Sequence, residues 1–575
     1  MKKQLLALLF ILSSSFLIEC NAQSWMWARQ AVPQQHPSKG LGDAAVAAVD
    51  GSGNVYLPGD YKDSLSFGAV SIWASDSNLG AFIAKYDSNG NFLWVRSSVD
   101  SLYTSTTEGF SAAADGSGNA FFTGFFQGYS RFGVYMLSSV PEEPFLVKYS
   151  STGNVIWAKQ STGTGEGYAN SVVADAKGNA YITGSCNGDI VFGSDTVKNG
   201  GVFLVKYNNA GNVKWVKQST LPSDNCDVES YSVVLDQSGN VYISGFFIDT
   251  TIFGPYTLKV PGHFGSECGF LAKYDSNGNL LWAKQPVPFR KFGTSVLTSV
   301  TIDGMGNLYT TGYFEDSVSF GGITLVYLDF AYWDVFLAKY DPSGNVIWAK
   351  QGKVLDGNDW EGYSVASDTL KRGGGYMIMG SSFTSPFKLK FGADTFNLVT
   401  GHTSASVLVR FDSAGNIICS SNVFSEGDED DGDGVGVDHS GKHIYYGGDL
   451  YNGAAFGSDT LKAGGDAPFV ARWQPCEPVI EEGANNIQST NINAVLFPNP
   501  NKGYFQLGIS NYELGMNSKV EIYNMLGEMI YNETLRQAQG DNIIDLPCKS
   551  AGVYLYRVLT ETGEQISEGK FIIER

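Results

Sequence analysis

The sequence predicts an all-β protein, a seven-bladed β-propeller closed by an N-terminal strand and followed by a small C-terminal β-sandwich. Three observations carry this prediction. A unit of roughly 60 residues recurs seven times, and such a period means one supersecondary unit per copy, stacked on its neighbours. Each copy offers four short aromatic or β-branched runs bounded by Asp, Asn and Gly. No helical periodicity competes with them.

In chain order, residues 1–22 read as an export signal: Lys2 and Lys3 are a basic start, Leu5 to Ile18 an apolar stretch, and Cys20-Asn21-Ala22 a small-x-small end. The apolar stretch is too short to span a bilayer, and no other run is apolar for long enough to be transmembrane. A rival reading makes Leu17-Ile18-Glu19-Cys20 a lipoprotein site, but Glu19 stands where a small residue is wanted.

Residues 23–476 hold the repeats. In the fifth copy, Asp303-Gly-Met-Gly-Asn-Leu-Tyr-Thr-Thr-Gly312 is followed by Phe320-Gly321, Phe336-Leu-Ala-Lys-Tyr-Asp341 and Gly344-Asn-Val-Ile-Trp-Ala-Lys-Gln351. Asp, Asn and Gly in the Asp-x-x-Gly-Asn motif tolerate the backbone angles of tight turns. These turns join the first strand to the second and the third to the fourth, so they share one face. The segments between second and third strands, such as Asp60–Leu79 and Gly321–Trp333, lie on the other face and are expected to be binding loops. The last copy ends at Phe469-Val-Ala-Arg-Trp473 without a Trp-Ala-Lys-Gln strand. Trp25-Met-Trp-Ala-Arg-Gln30 is that strand, displaced to the front, and it is expected to close the ring.

After Cys476, residues 477–494 are polar and acidic without periodicity, which suits a linker. A second all-β unit follows at 495–575, with Leu496-Phe497-Pro498-Asn499-Pro500, Gly503, Tyr523 to Gly527, Gly552-Val-Tyr554 and Lys570-Phe-Ile-Ile573.

Two resemblances attach to these motifs. Residues 25–474 resemble the bacterial β-propeller repeat family of exported proteins, with the sixth and seventh copies eroded: Gly373-Gly374-Gly375 replaces the Gly-Asn turn, and Cys419 replaces the outer-strand Trp. Residues 495–575 resemble the type A sorting domain of the type IX secretion system of the Bacteroidetes phylum. That resemblance implies contact with the type IX machinery, export across the outer membrane, and cleavage between Glu477 and Asn493.

Composition narrows the function. A formal net charge of −20 disfavours binding to a phosphate backbone, so no nucleic-acid partner is expected. Five histidines and no Cys-x-x-Cys pair argue against zinc. Cys186, Cys226 and Cys268 fall together on the loop face, where a 226–268 or 186–226 disulfide is expected. Carboxylates recur at the start of the first strands: Asp43, Glu108, Glu166, Glu229, Glu361 and Asp431. They are candidates to hold Ca²⁺ or a cationic ligand at the channel mouth, against the plainer reading of a solvated strand start inherited by duplication. Separately, Glu429, Asp431 and Asp433 of the run Glu426–Gly434 alternate loosely like a calcium loop, with Ser440 where such a loop has Glu, against the plainer reading of a solvated loop. The repeated Lys85, Lys148, Lys206, Lys273, Lys339, Arg410 and Arg472 read as structural partners of the turn Asp residues, and the repeated Trp as outer-strand packing. Trp73, Trp333 and Trp360 lie in the loops and are candidates for ligand stacking. No nucleophile elbow, phosphate-binding loop or zincin motif occurs. The expected protein is a secreted or surface-attached, non-enzymatic module that binds an extracellular glycan or protein. The alternatives are a carboxylate-based glycan-cleaving enzyme in the axial pocket and a structural surface-layer component.

Overall fold

The structure is a computed structural model. It describes residues 24–573 apart from 34–47, 75–78, 101–104, 224–225, 261–265, 289–292, 327–332, 355–360, 368–374, 383–386, 392–393, 399–403, 426–433, 439–440, 442, 451–452, 463–465, 476–492, 498–503, 511–517, 525–527, 536–541, 547–551 and 561–564. The chain divides into two compact units, Met1–Val479 and Ile480–Arg575. The described residues are all-β, without a helix.

In the first unit, seven antiparallel sheets among the described residues share one four-strand plan. The fourth is representative, with strands Asp227–Leu235, Val241–Ile248, Glu267–Tyr274 and Leu280–Lys284 paired in chain order. The seventh takes three strands from the last copy, Gly434–Val437, Ile444–Leu450 and Ala467–Gln474. Its fourth is Ser24–Gln30, antiparallel to Ala467–Gln474 in the register Trp27↔Arg472 and Gln30↔Phe469. The displaced strand therefore sits where the repeat pattern assigns it.

The turn motif explains itself locally. The Asp50 carboxylate accepts the Ser52 and Asn54 amides at 2.9 and 3.0 Å and the Asn54 side-chain amide at 2.8 Å, while Gly53 turns the chain at φ +77°. Burial alone would raise the Asp50 carboxyl, but these hydrogen bonds and the nearby Lys85 hold it below its ordinary value.

The repeated basic side chain bridges neighbouring sheets as well as its own. Lys148 pairs with Asp115 of its own sheet at 3.0 Å and donates to Asn209 of the next at 2.5 Å, with its ammonium 4.6 Å from the Phe121 ring centre. Lys206, Lys273 and Lys339 reach the next sheet's turn at the carbonyls of Ser276, Pro342 and Ser413. The Trp series does the same from the fourth strands: Trp94, Trp157 and Trp348 donate to the carbonyls of Ser151, Asn209 and Ser413. Trp27 continues the series onto the first sheet, donating to Ser88 at 3.1 Å. The glycine of each receiving turn has no room for a side chain; a Cβ on Gly90 would meet the Trp27 ring at 2.6 Å. First strands lie side by side in a closed succession, from the first sheet through the seventh and back to the first.

Two expectations are corrected. Asp60–Leu79 is not an open loop: it folds into the hairpin Ser64–Phe67 and Val70–Trp73, and Val32–Pro33 adds to its edge. Each Phe-Gly pair among the described residues marks such a hairpin turn, because the glycine adopts a positive φ, +64° at Gly68. In five of the sheets a Gln at the end of the fourth strand (Gln30, Gln160, Gln218, Gln285 and Gln351) clamps the sheet's own hairpin. Gln218 accepts from Lys198 N at 3.0 Å and donates to Lys198 O at 3.2 Å. The second correction concerns the cysteines: Cys186, Cys226 and Cys268 are free thiols. Their sulfurs point to separate partners, Cys186 to the carbonyl of Gly201, Cys226 to the Ser223 hydroxyl and Cys268 to the carbonyl of Pro286. Cys419, which faces Arg410 as Trp348 faces Lys339, is disulfide-bonded.

The second unit contains two antiparallel sheets among the described residues. One has Asn493–Phe497, Tyr504–Ser510 and Asn542–Asp545; the other Ser518–Asn524, Met529–Leu535, Gly552–Thr560 and Gln565–Ile573. Val520, Ile522, Tyr554, Tyr556, Val558, Phe571 and Leu546 form its core.

Candidate functional site

The first strands are held to one another in equal register by a serine ladder. The amides of Val172, Val233, Val300, Val365 and Val435 donate to the hydroxyls of Ser111, Ser171, Ser232, Ser299 and Ser364 on the preceding sheet, at 3.2–3.3 Å. Equal register brings the leading ends of these strands together. Each first strand of sheets two to six carries a β-bulge, at Phe110, Asn170, Tyr231, Thr298 and Tyr363. A bulge re-aims the side chain it carries.

Two acid–aromatic clusters form at these ends. In the first, Tyr168 donates its hydroxyl to Glu142, and Phe125 packs between Phe110 and Tyr168 with ring centres at 5.6 and 4.9 Å. Burial pushes the Tyr168 phenol up, and the charges of Glu142, Glu166 and Glu108 add to the rise. Next to Glu142, Glu143 is fully buried and hydrogen-bonded to Ser161; burial pushes its carboxyl up to about 7.

The second cluster joins Glu229, Tyr231, Glu267, Tyr313, Trp333 and Glu361. Tyr313 stacks on Trp333 at 4.6 Å, and Tyr231 lies 5.7 Å from Phe246. Burial raises the Glu229 carboxyl, partly offset by its bond with Tyr231, and Asp227 raises it further. Glu267 is raised by burial, then by Glu229 and Asp227. Burial and the charges of Glu267, Glu361 and Glu229 push the Tyr313 phenol up. This cluster can receive a cationic or polyhydroxyl group against an aromatic face, and its carboxyls are poised to hold protons above the usual range.

Of the predicted residues, Glu108, Glu166, Glu229 and Glu361 start or nearly start their first strands, and Trp333 joins the second cluster. Trp73 is 63% exposed on the first hairpin, away from this grouping in the fold. Trp360, Asp43, Asp431 and Asp433 lie outside the described residues. Among the described residues, no three His, Cys, Asp or Glu side chains group as a metal site. Sequence reasoning missed Glu142 and Glu267. Both stand six residues before the repeated lysine, as Trp333 does, where the first and third copies have Leu79 and Gly200. That departure from the repeat was the available signal.

In the second unit, Phe497 ends its strand, Tyr523 and Tyr554 lie within theirs, Gly552 opens one, and Lys570 is exposed. Pro498, Asn499, Pro500, Gly503 and Gly527 lie outside the described residues. Glu521 accepts from Lys519 at 2.8 Å, Tyr523 at 2.7 Å and Arg557 at 2.6 Å, which lowers its carboxyl to about 2.

Residues 495–574 match the family described as a secretion system C-terminal sorting domain. The match indicates export by type IX secretion to the cell exterior or surface. An uncharacterized WD repeat-containing protein of Acanthamoeba polyphaga mimivirus is 26% identical over 429 residues, covering 62% of this chain. The chain spans only 30% of that relative's length. Two solved structures align at low similarity. A fungal alcohol oxidase in complex with copper is 12% identical, with 95% of this chain and 100% of the other covered and a TM-score of 0.31. A Bacteroides caccae protein of unknown function is 11% identical, with 48% and 89% covered and a TM-score of 0.23. Neither alignment bears on fold or chemistry at these scores. No described helix is long and apolar enough to cross a membrane.

Proposed function

We propose that residues 23–476 form a seven-bladed β-propeller which, once exported, binds an extracellular glycan or protein at the leading ends of its first strands. The closed succession of first strands, the strand Ser24–Gln30 in the seventh sheet and the Trp27 contact onto the first sheet support the ring. The WD-repeat name of the viral relative is in keeping with it. The observation that carries the binding role is the convergence of Glu267, Tyr313 and Trp333, at positions where the copies differ, with Glu229 and Tyr231 of a recurring strand start. Repeated positions serve the scaffold, so a ligand site is expected where the repeat breaks.

The raised carboxyls of Glu229 and Glu267 favour one second reading, glycan cleavage with one of them as general acid. A glycan and polysaccharide array probed with the secreted protein separates the two. Retention without product, lost in Trp333→Ala, is the expected result. Product release abolished by Glu229→Gln would replace binding with hydrolysis or elimination. Neither retention nor product on any array member, with no protein partner captured, would remove the glycan reading.

A further inference from the structure

The fourth strand of each sheet carries a bulge one residue before its Trp, or before Cys419 in the sixth. In the second and fourth sheets, the carbonyl of that bulged residue receives a tyrosine from the sheet's own hairpin: Tyr135 donates to Ile156 at 2.7 Å, and Tyr256 to Leu281 at 3.0 Å. These tyrosines face the phenylalanine of the Phe-Gly turn, in the pairs Phe132↔Tyr135 and Phe253↔Tyr256. The first sheet has the same bulge, at Leu93, and the same hairpin, with the pair Phe67↔Val70. Valine there has neither the length nor the hydroxyl to reach the Leu93 carbonyl.

A surface pocket of about 480 Å³ lies at that place, lined by Val70, Leu93, Trp94, Arg96, Ser151 and Thr152 among others. A second observation marks the first sheet as open there. A Cβ on the turn glycine would meet the fourth strand at 3.0 Å for Gly133, 3.3 Å for Gly193, 3.2 Å for Gly254 and 3.1 Å for Gly321. On Gly68 it would meet nothing within 4 Å. The walls are also fit for a ring: Val70 and Leu93 are exposed by 44% and 48%, and the Arg96 guanidinium lies 5.6 Å from the Trp94 ring centre.

We infer that this pocket takes a tyrosine side chain of a partner polypeptide, with the phenol lying where Tyr135 and Tyr256 lie in their own sheets and donating its hydroxyl to the Leu93 carbonyl. Two of the protein's own copies supply the ligand chemistry, a phenol on that carbonyl, where the remaining copies carry Asp195, Ile323, Asp394 and Asp459. The pocket is separate from the acid–aromatic clusters, so this inference does not depend on the glycan reading.

The test titrates the full chain with N-acetyl-tyrosinamide, followed by ligand-observed NMR, alongside N-acetyl-phenylalaninamide. Tyrosinamide binding is expected, with the phenylalanine analogue weaker by about fivefold or more, the loss of one hydrogen bond. Val70→Tyr copies the residue that two other sheets already carry, so it should fold; it should fill the pocket and abolish binding. Tyr256→Val should open a matching pocket in the fourth sheet and raise the stoichiometry by one, and Tyr135→Val serves if that variant does not fold. No binding by the wild-type chain, equal binding of the two amides, or binding that survives in Val70→Tyr would each overturn the inference.

Discussion

Lys148 shows how much one repeated side chain holds. It is buried, its partner Asp115 is buried, and it joins two sheets. Lys148→Met leaves the Asp115 carboxylate without its cation, and a loss of about 3 kcal/mol is expected in urea denaturation. The charge-free pair Lys148→Met with Asp115→Asn should recover part of that loss. Glu143 works in the opposite direction. Its carboxyl is raised from an ordinary 4.5 to about 7 because it is buried. The folded state therefore binds the proton more tightly than the unfolded chain does. Stability from this group is full below about pH 4.5 and falls as pH rises toward 7, by up to about 3 kcal/mol. Glu143→Gln keeps a hydrogen-bonding group beside Ser161 without the charge. It should raise the melting temperature at pH 8 and flatten the pH dependence between about pH 4.5 and 7, where the folded state alone holds the proton. A variant that melts with the wild-type pH profile would show that Glu143 is ionised at no cost.

The strand Ser24–Gln30 is the element on which the architecture turns. It pairs along Ala467–Gln474, places Trp27 on the Gly90 turn and sends Gln30 to the Lys462 carbonyl at 2.7 Å. Trp27→Ala should cost about 3–5 kcal/mol, as for other large buried side chains. Deleting residues 24–30 should lower the melting temperature further, and an unchanged melt would refute the closing role. This element was legible because Trp27-Ala-Arg-Gln30 copies a repeated motif. The hairpins were not. Their strands are three to five residues long, as in Ile190–Phe192 and Asp195–Val197, too short for alternation to register, and only the Phe-Gly punctuation marked them. The bulges at Phe110, Asn170, Tyr231, Thr298 and Tyr363 were equally hidden, because an extra residue in a strand changes pairing without changing composition. The cysteine pairing failed for a related reason: a shared face does not fix the direction of a thiol, and Cys268 turns inward, fully buried.

For the whole molecule, the sorting match predicts a division of labour between the two units. Truncation before Ile480 should leave the first unit folded, with an unchanged melting transition, but absent from the culture medium and the cell surface when fractions are immunoblotted. Export of the truncated chain would contradict the role assigned to residues 495–574. The pairing of Ser24–Gln30 with Ala467–Gln474 also has a consequence in time. Joining positions so far apart in the chain carries a loop-closure cost of about 5 kcal/mol, recovered only when both are present. A chain delivered amino end first must hold its leading strand unpaired until the seventh copy has emerged. Late closure makes folding slow, as contact order requires, and leaves two bare β-edges open to wrong partners in the interval. A tug on the carboxyl end during passage would, for the same reason, peel the last sheet first and reopen the circle at the place where it was completed.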